Sequence, residues 1–179
     1  MDLTEKMLTT KMIYEGKILD LYRDKISLPN GDESTREYIK HRGAVALLAF
    51  DENGDVILVK QYRYPIHDTL LEIPAGKLEK GEEILSAATR ELEEETGHKA
   101  KSLTYLGKML PAVGYSNEVI HIYLAENLTK TNPHPDEDEF IDIIKIPLCK
   151  MEEMIDKNEI TDSKTVFALY KYKLAKRNK

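Results

Sequence analysis

One segment breaks the rhythm of this chain. Most of the sequence runs in short stretches of alternating apolar and polar residues divided by turn residues. Residues 82–96 abandon that period and become rich in Glu, Leu and Ala, which is a helical composition. Gly97 follows at the place where a helix takes its C′ glycine. A helix set among strands that mostly join their neighbours through hairpins restricts the chain to an α+β fold.

The strands fall into two groups. Lys17-Ile18-Leu19-Asp20-Leu21-Tyr22-Arg23 and Lys25-Ile26-Ser27-Leu28 carry alternating apolar positions, Pro29-Asn30-Gly31-Asp32 is a hairpin turn, and 34–41 returns, because Asn-Gly supplies the left-handed residues such a turn needs. Residues 1–42 are therefore expected to form a small antiparallel β subdomain that depends on something larger. Residues 43–179 are expected to form the main domain. In it, 44–50 and 56–63 flank a second hairpin sequence, Asp51-Glu52-Asn53-Gly54-Asp55. Further strands are expected at 70–73, 103–110, 119–124 and 140–146. Two helices, 150–157 and 164–176, would close the chain, the second capped by Thr161, Asp162 or Ser163.

Composition removes several classes of function. The run 44–50 is the longest apolar stretch, far short of the roughly 18 residues of a membrane span. The first residues, Met1-Asp2-Leu3-Thr4-Glu5-Lys6, lack the pattern of a secretory leader. Cys149 is the sole cysteine; it cannot form an internal disulfide, suits a reducing compartment, and is read as a small core residue. A cytoplasmic protein is expected. The five histidines show no zinc spacing. A net charge of −6 argues against broad nucleic-acid binding, though an acidic protein can still hold a polyanion through metal ions or a few placed arginines.

The helix itself carries the chemistry. With Ile84 at zero and about 100° per residue, Ala88, Leu92 and Leu85 fall near 40°, 80° and 100°. Glu95 falls near 20°, Glu91 near 340° and Glu94 near 280°. Glu95 thus lies inside the apolar arc, where an unpaired charge costs several kcal/mol. Glu91 and Glu95 are i,i+4 neighbours, and like charges so placed repel unless something positive lies between them. Hard oxygen ligands on one face suit Mg²⁺ or Mn²⁺, which share their coordination with substrate phosphates. A run such as Glu-Leu-Glu-Glu-Glu is in other chains an ordinary solvated face, and the position of Glu95 alone leaves the two readings balanced.

The wider pattern decides between them. Gly76-x5-Glu82-x7-Arg90-Glu91-Leu92-x-Glu94-Glu95-x-Gly97 matches every fixed position of the Nudix box, with His98 in a final slot that is normally apolar. Gly43-Ala44-Val45-Ala46-Leu47-Leu48, Gln61-Tyr62-Arg63-Tyr64-Pro65, Leu71-Glu72-Ile73-Pro74-Ala75-Gly76, Gly114-Tyr115-Ser116-Asn117-Glu118 and Asp136-Glu137-Asp138-Glu139-Phe140 resemble ADP-ribose pyrophosphatases of the Nudix superfamily. The resemblance covers most of the chain.

It implies a Nudix α/β/α sandwich with a mixed sheet, preceded by a small antiparallel β subdomain that relatives exchange between the partners of a homodimer. It implies Mg²⁺ or Mn²⁺ as cofactor, held by Glu91 and Glu95 with Glu94 and the Ala75 carbonyl. Arg90 would hold these carboxylates in place, and Glu82, counted with the substrate-binding residues, would support the loop–helix geometry or a metal-bound water. Glu137 or Glu139, in an acidic loop, would be the general base, and Glu139 a further metal ligand. Arg36, Arg63 and Glu118 would contact phosphates or ribose. The reaction implied is hydrolysis of the pyrophosphate bond of ADP-ribose or a related nucleoside diphosphate sugar, giving AMP and ribose 5-phosphate. Val113 stands where ADP-ribose hydrolases usually carry a proline, with Pro111 two residues earlier. Another nucleoside diphosphate sugar or a dinucleotide is therefore the alternative substrate. A sensor that binds such a ligand without hydrolysis is the alternative from another class, although such modules tend to lose carboxylates that are intact here. A Ca²⁺-binding helix is disfavoured because no EF-hand loop occurs.

Overall fold

A computed structural model describes residues 2–17, 19–135 and 139–177. Among the described residues the chain builds two separate sheets. Strands β1 (Lys6–Glu15), β2 (Asp20–Ser27) and β3 (Glu33–Lys40) form an antiparallel meander in the order β1-β2-β3. The second sheet holds β4 (Ala44–Phe50), β5 (Asp55–Arg63), β6 (Asp68–Glu72), β7 (Ala75–Lys77), β8 (His98–Met109), β9 (Ile120–Lys130) and β10 (Ile141–Pro147). Its path is β10-β5-β4-β9-β8, with β6 on β5 and β7 on β4. The β4–β9 pair is parallel and the other pairs are antiparallel, so the sheet is mixed.

Strand β4 shows why helices cover both faces of this sheet. Its residues are apolar without alternation, the mark of a strand buried on both sides. Val45, Leu47 and Ala49 pack with Ile57, Tyr123 and Ala125 against Ala87, Ala88 and Leu92 of helix α1 (Ile84–Thr96). Ala46 and Leu48 face the other way, with Val56, Leu58 and Ile122, onto Met151, Ile160, Ala168 and Leu169. Those residues belong to helix α2 (Leu148–Asp156), the loop after it, and helix α3 (Ser163–Arg177). The result is the α/β/α sandwich with a mixed sheet. No helix is long and apolar enough to cross a membrane, among the described residues.

Several sequence expectations shift. Helix α1 begins at Ile84, leaving Glu82 in the preceding loop. Leu85, placed on the buried arc, is exposed, because it stands in the first turn and the buried face is centred on Ala87, Ala88, Glu91, Leu92 and Glu95. The runs 17–23 and 25–28 are one strand, and β1 adds a strand before them. Strands β8 and β9 reach beyond their expected bounds, since their ladder continues to His98↔Lys130. Asp162 caps α3, its Oδ2 accepting from the Thr165 backbone N–H at 2.9 Å.

Cys149 is exposed rather than in the core. It is the second residue of α2, two positions before the buried Met151, and two residues of a helix turn the side chain through about 200°.

The sheets meet at one seam. The Ile39 N–H donates to the Tyr115 carbonyl at 2.8 Å, and the His41 N–H to Asn117 Oδ1 at 2.6 Å.

Candidate active site

Helix α1 presents its carboxylates to the short strand β7, which runs beside β4. Glu91 and Glu95 are buried with the apolar residues of the same helix face, as the wheel requires. The Ala75 backbone N–H donates to Glu95 Oε2 at 2.9 Å, tying loop to helix. Gly76 is needed for closeness: a Cβ built there would lie 2.0–2.1 Å from the Glu91 carboxyl group. Gly97 serves the other end, in the left-handed conformation at φ 65° with its N–H on the Glu93 carbonyl. A Cβ at Gly97 would also strike Pro133 at 2.7 Å.

Arg90 clasps the cluster. Its Nε donates to Glu82 Oε1 at 2.9 Å and its Nη2 to Glu82 Oε2 at 3.0 Å. Its Nη1 donates to Glu91 Oε1 and to Glu94 Oε2, each at 2.8 Å. Nη2 also reaches the Lys77 carbonyl at 3.2 Å. Glu82 in turn accepts from the Glu79 N–H at 2.9 Å, so its carboxylate closes the loop before α1. The Arg90 hydrogen bonds hold Glu82 below the usual carboxylate range, against the opposing effect of burial.

The two buried glutamates behave differently. Burial pushes Glu91 up to about 7; Arg90 opposes this, while the charges of Glu94 and Glu139 add to it. Burial pushes Glu95 up to about 8; the Ala75 N–H opposes, and the charges of Glu91 and Glu139 add. The protein by itself under-compensates these carboxylates. Half-buried Glu139 is near enough for both to feel its charge. Glu137 lies outside the described residues.

The substrate-side residues are spread wider. Arg63, at the end of β5, donates from Nε and Nη2 to the two oxygens of Glu72, both at 2.7 Å. Its pKa is raised by that hydrogen bonding first, against burial, with the charges of Glu72, Glu95 and Asp162 contributing. Glu118 lies at the seam, 3.7 Å from His41 Nδ1. Arg36 stays on the three-stranded sheet, where it pairs with Glu5 and donates to Ser34 and the Thr35 carbonyl. Thus α1 and β7 bring Glu82, Arg90, Glu91, Glu94, Glu95 and Ala75 together, whereas Arg36 stays on the three-stranded sheet and Glu118 lies at the seam between the sheets. The sequence reading passed over Glu72 and Lys164 as site-linked residues. The one local signal was a carboxylate at Glu72 between apolar Leu71 and Ile73.

A helix of buried carboxylates facing a glycine loop, on one side of an α/β/α sandwich, defines a Nudix-type fold and site. The chain belongs to that family: the NUDIX domain matches residues 40–170, and the nucleoside diphosphate sugar hydrolase N-terminal domain matches residues 5–39. It is a Nudix hydrolase, and such enzymes use divalent metal ions.

It is 44% identical over 169 residues to an ADP-ribose pyrophosphatase of Bacillus subtilis (strain 168), covering 93% of this chain and 91% of the relative. It is 42% identical over 167 residues to a methanol dehydrogenase activator of Bacillus methanolicus, covering 92% and 90%. The crystal structure of an ADP compounds hydrolase superposes with a TM-score of 0.87 at 23% identity, covering 99% of this chain and 97% of that one. It shares the fold.

Whether the residues suit a divalent ion can be judged from their chemistry. Glu91 and Glu95 are hard oxygen donors whose buried charge the protein leaves under-compensated, and Gly76 keeps the backbone close to them. Among the described residues, no three His, Cys, Asp or Glu side chains stand ready to hold an ion by themselves. An ion that keeps several waters and takes substrate oxygens needs no such cage. The donor set fits.

Proposed function

We propose that this enzyme hydrolyses the pyrophosphate bond of ADP-ribose, or of a closely related nucleoside diphosphate sugar, to give AMP and ribose 5-phosphate. The observation that carries the reading is the pair of buried, under-compensated carboxylates, Glu91 and Glu95, on a helix clasped by Arg90. The names borne by relatives of similar length, ADP-ribose pyrophosphatase among them, point to the substrate class.

Glu91 and Glu95 would hold Mg²⁺, or Mn²⁺ in its place, with Glu94, Glu139 and the Ala75 carbonyl as further donors. When bound, the ion neutralises charge on the diphosphate and acidifies the attacking water. Arg90 keeps Glu91 and Glu94 from splaying apart under their own repulsion and ties both to Glu82. Glu82 fixes the loop between β7 and α1. Glu139 or Glu137 takes the proton from water as it attacks phosphorus. Arg63 meets a phosphate, while Glu118 and Arg36 serve the ribose side.

Arg36 reaches the site in this reading from the partner of a homodimer that exchanges its first 42 residues. All ten residues of β1 are exposed in the single chain, Met7, Leu8, Met12, Ile13 and Tyr14 among them. So large an apolar strand left in water favours a covering partner. The boundary between the units falls at 42/43 in this reading, and the enzyme works in the cytoplasm, where an exposed lone thiol stays reduced.

A second substrate reading draws on Val113, which is exposed in the loop where ADP-ribose hydrolases usually carry proline. It admits another nucleoside diphosphate sugar or a dinucleotide. Incubating the purified protein with ADP-ribose, a panel of nucleoside diphosphate sugars and NADH, each with Mg²⁺ or Mn²⁺, separates these readings by product chromatography. The expected result is AMP from ADP-ribose at the highest kcat/KM. No product from any of them would reject the hydrolysis proposed here.

A further inference from the structure

We propose that Lys164 is a positioning residue for substrate phosphate, acting through the buried Glu72 on Arg63. The inference rests on the proposed function for what Arg63 meets, but its geometry stands independently.

Glu72 ends β6 and is only 1% exposed, although apolar residues flank it on both sides. Three donors meet it. Arg63 takes both oxygens through Nε and Nη2, and Lys164 Nζ takes Oε2. Burial works to raise Glu72, but the hydrogen bonds and charges of Arg63 and Lys164 outweigh it and hold the group ionised. Lys164 also contacts Asp162 Oδ1 at 3.0 Å, and Asp162 Oδ2 caps α3 through Thr165. Thr165 Oγ1 accepts from the Ile73 N–H at 2.9 Å. The start of α3 is thereby fastened to the residues immediately before Pro74 and Ala75.

This arrangement has one open end. The Glu72 side chain is 2% exposed and that of Lys164 11%, whereas that of Arg63 is 39%. Among the described residues, Nη1 of Arg63 donates to no partner, since the Glu72 bonds use Nε and Nη2. A guanidinium locked along one edge presents its remaining N–H groups in a fixed direction, which suits a phosphate oxygen. Lys164 sets that direction: its Nζ holds Glu72 Oε2 from the start of α3 and is itself held by Asp162 Oδ1 at 3.0 Å, so the carboxylate along which Arg63 lies is fixed from its far side.

The test combines kinetics with a readout that needs no substrate. Lys164→Met should raise KM for ADP-ribose by about tenfold while kcat stays within about twofold, the split expected when binding rather than chemistry is lost. Lys164→Arg should restore KM. In an Arg63→Ala background, Lys164→Met should add nothing, because its route to substrate is gone. A wild-type KM in Lys164→Met, or the same KM rise in both backgrounds, overturns the proposal. The Arg63 Nε–H resonance, followed by ¹H–¹⁵N NMR, should exchange slowly in the wild type and in Lys164→Arg, and rapidly in Lys164→Met. An unchanged resonance in Lys164→Met also overturns it. If the wild type turns over no nucleoside diphosphate sugar, the functional reading fails, and the resonance still decides whether Lys164 holds Arg63. Should Lys164→Met not fold, Lys164→Arg decides: loss of the wild-type KM or of the slow Arg63 resonance overturns the proposal.

Discussion

Burial has moved Glu91 and Glu95 of α1 towards neutrality, to about 7 and about 8. In the unfolded chain both revert towards the ordinary value of 4.5. Between that value and the raised ones the folded protein binds more protons than the unfolded protein, so stability must fall as pH rises. With divalent ions chelated, the melting temperature should therefore drop by several degrees from about pH 5 to about pH 8.5, then level off. Calorimetric scans across that window check it, and the slope should shrink markedly in Glu95→Gln. Adding Mg²⁺ should recover more stability at the alkaline end, where the carboxylates are free of protons. Glu95→Gln should also cost turnover by several orders of magnitude while its circular dichroism stays native. Near-normal activity in that variant would remove the metal assignment. Gly76→Ala is the complementary change: its Cβ would overlap the Glu91 carboxyl, so activity should fall at least about a hundredfold, the scale on which small misplacements act.

At the scale of elements, what could be read in sequence was what is local. The helix, which starts at Ile84 rather than at Glu82, the glycine after it and the inward angle of Glu95 follow from spacing along a few turns. The hairpin at 51–55 follows from Gly54, which takes the left-handed conformation at φ 82° in a three-residue turn rather than in an Asn-Gly pair, helped by Asp51 Oδ1 accepting from the Asn53 and Asp55 N–H groups. Strand β7 escaped because three residues carry no period, and its pairing with β4 is decided across the sheet. The Glu72–Lys164 contact escaped for the same reason, since the partners lie 92 residues apart. The box residues were legible as a pattern, but the clasp by which Arg90 spans Glu82, Glu91 and Glu94 depends on how the loop before α1 folds back onto the helix. A prediction belongs here too. Asp162→Ala removes the α3 cap and its hold on Thr165, and should cost about 1–2 kcal/mol of stability in urea unfolding.

The whole molecule divides its labour between two sheets of different character. The seven-stranded sheet is covered by helices on both faces, while the three-stranded sheet leaves its first strand open to water along its full length. Only the second is expected to change its surroundings on association. Sedimentation equilibrium should therefore find a dimer at micromolar concentration, and Met12→Asp, a charge placed on exposed β1, should weaken it at least about tenfold. A monomer in the wild type would remove the exchange of the first 42 residues and, with it, the route by which Arg36 joins the site.

The account as a whole depends on α1 being a cation-binding helix. Titrating the chelator-treated enzyme with Mn²⁺ and following the free ion by electron paramagnetic resonance tests that directly. The account predicts saturable binding to the wild type that strengthens as pH rises from about 6 to about 8, and loss of that binding in Glu95→Gln. Equal Mn²⁺ binding by the two proteins would contradict it.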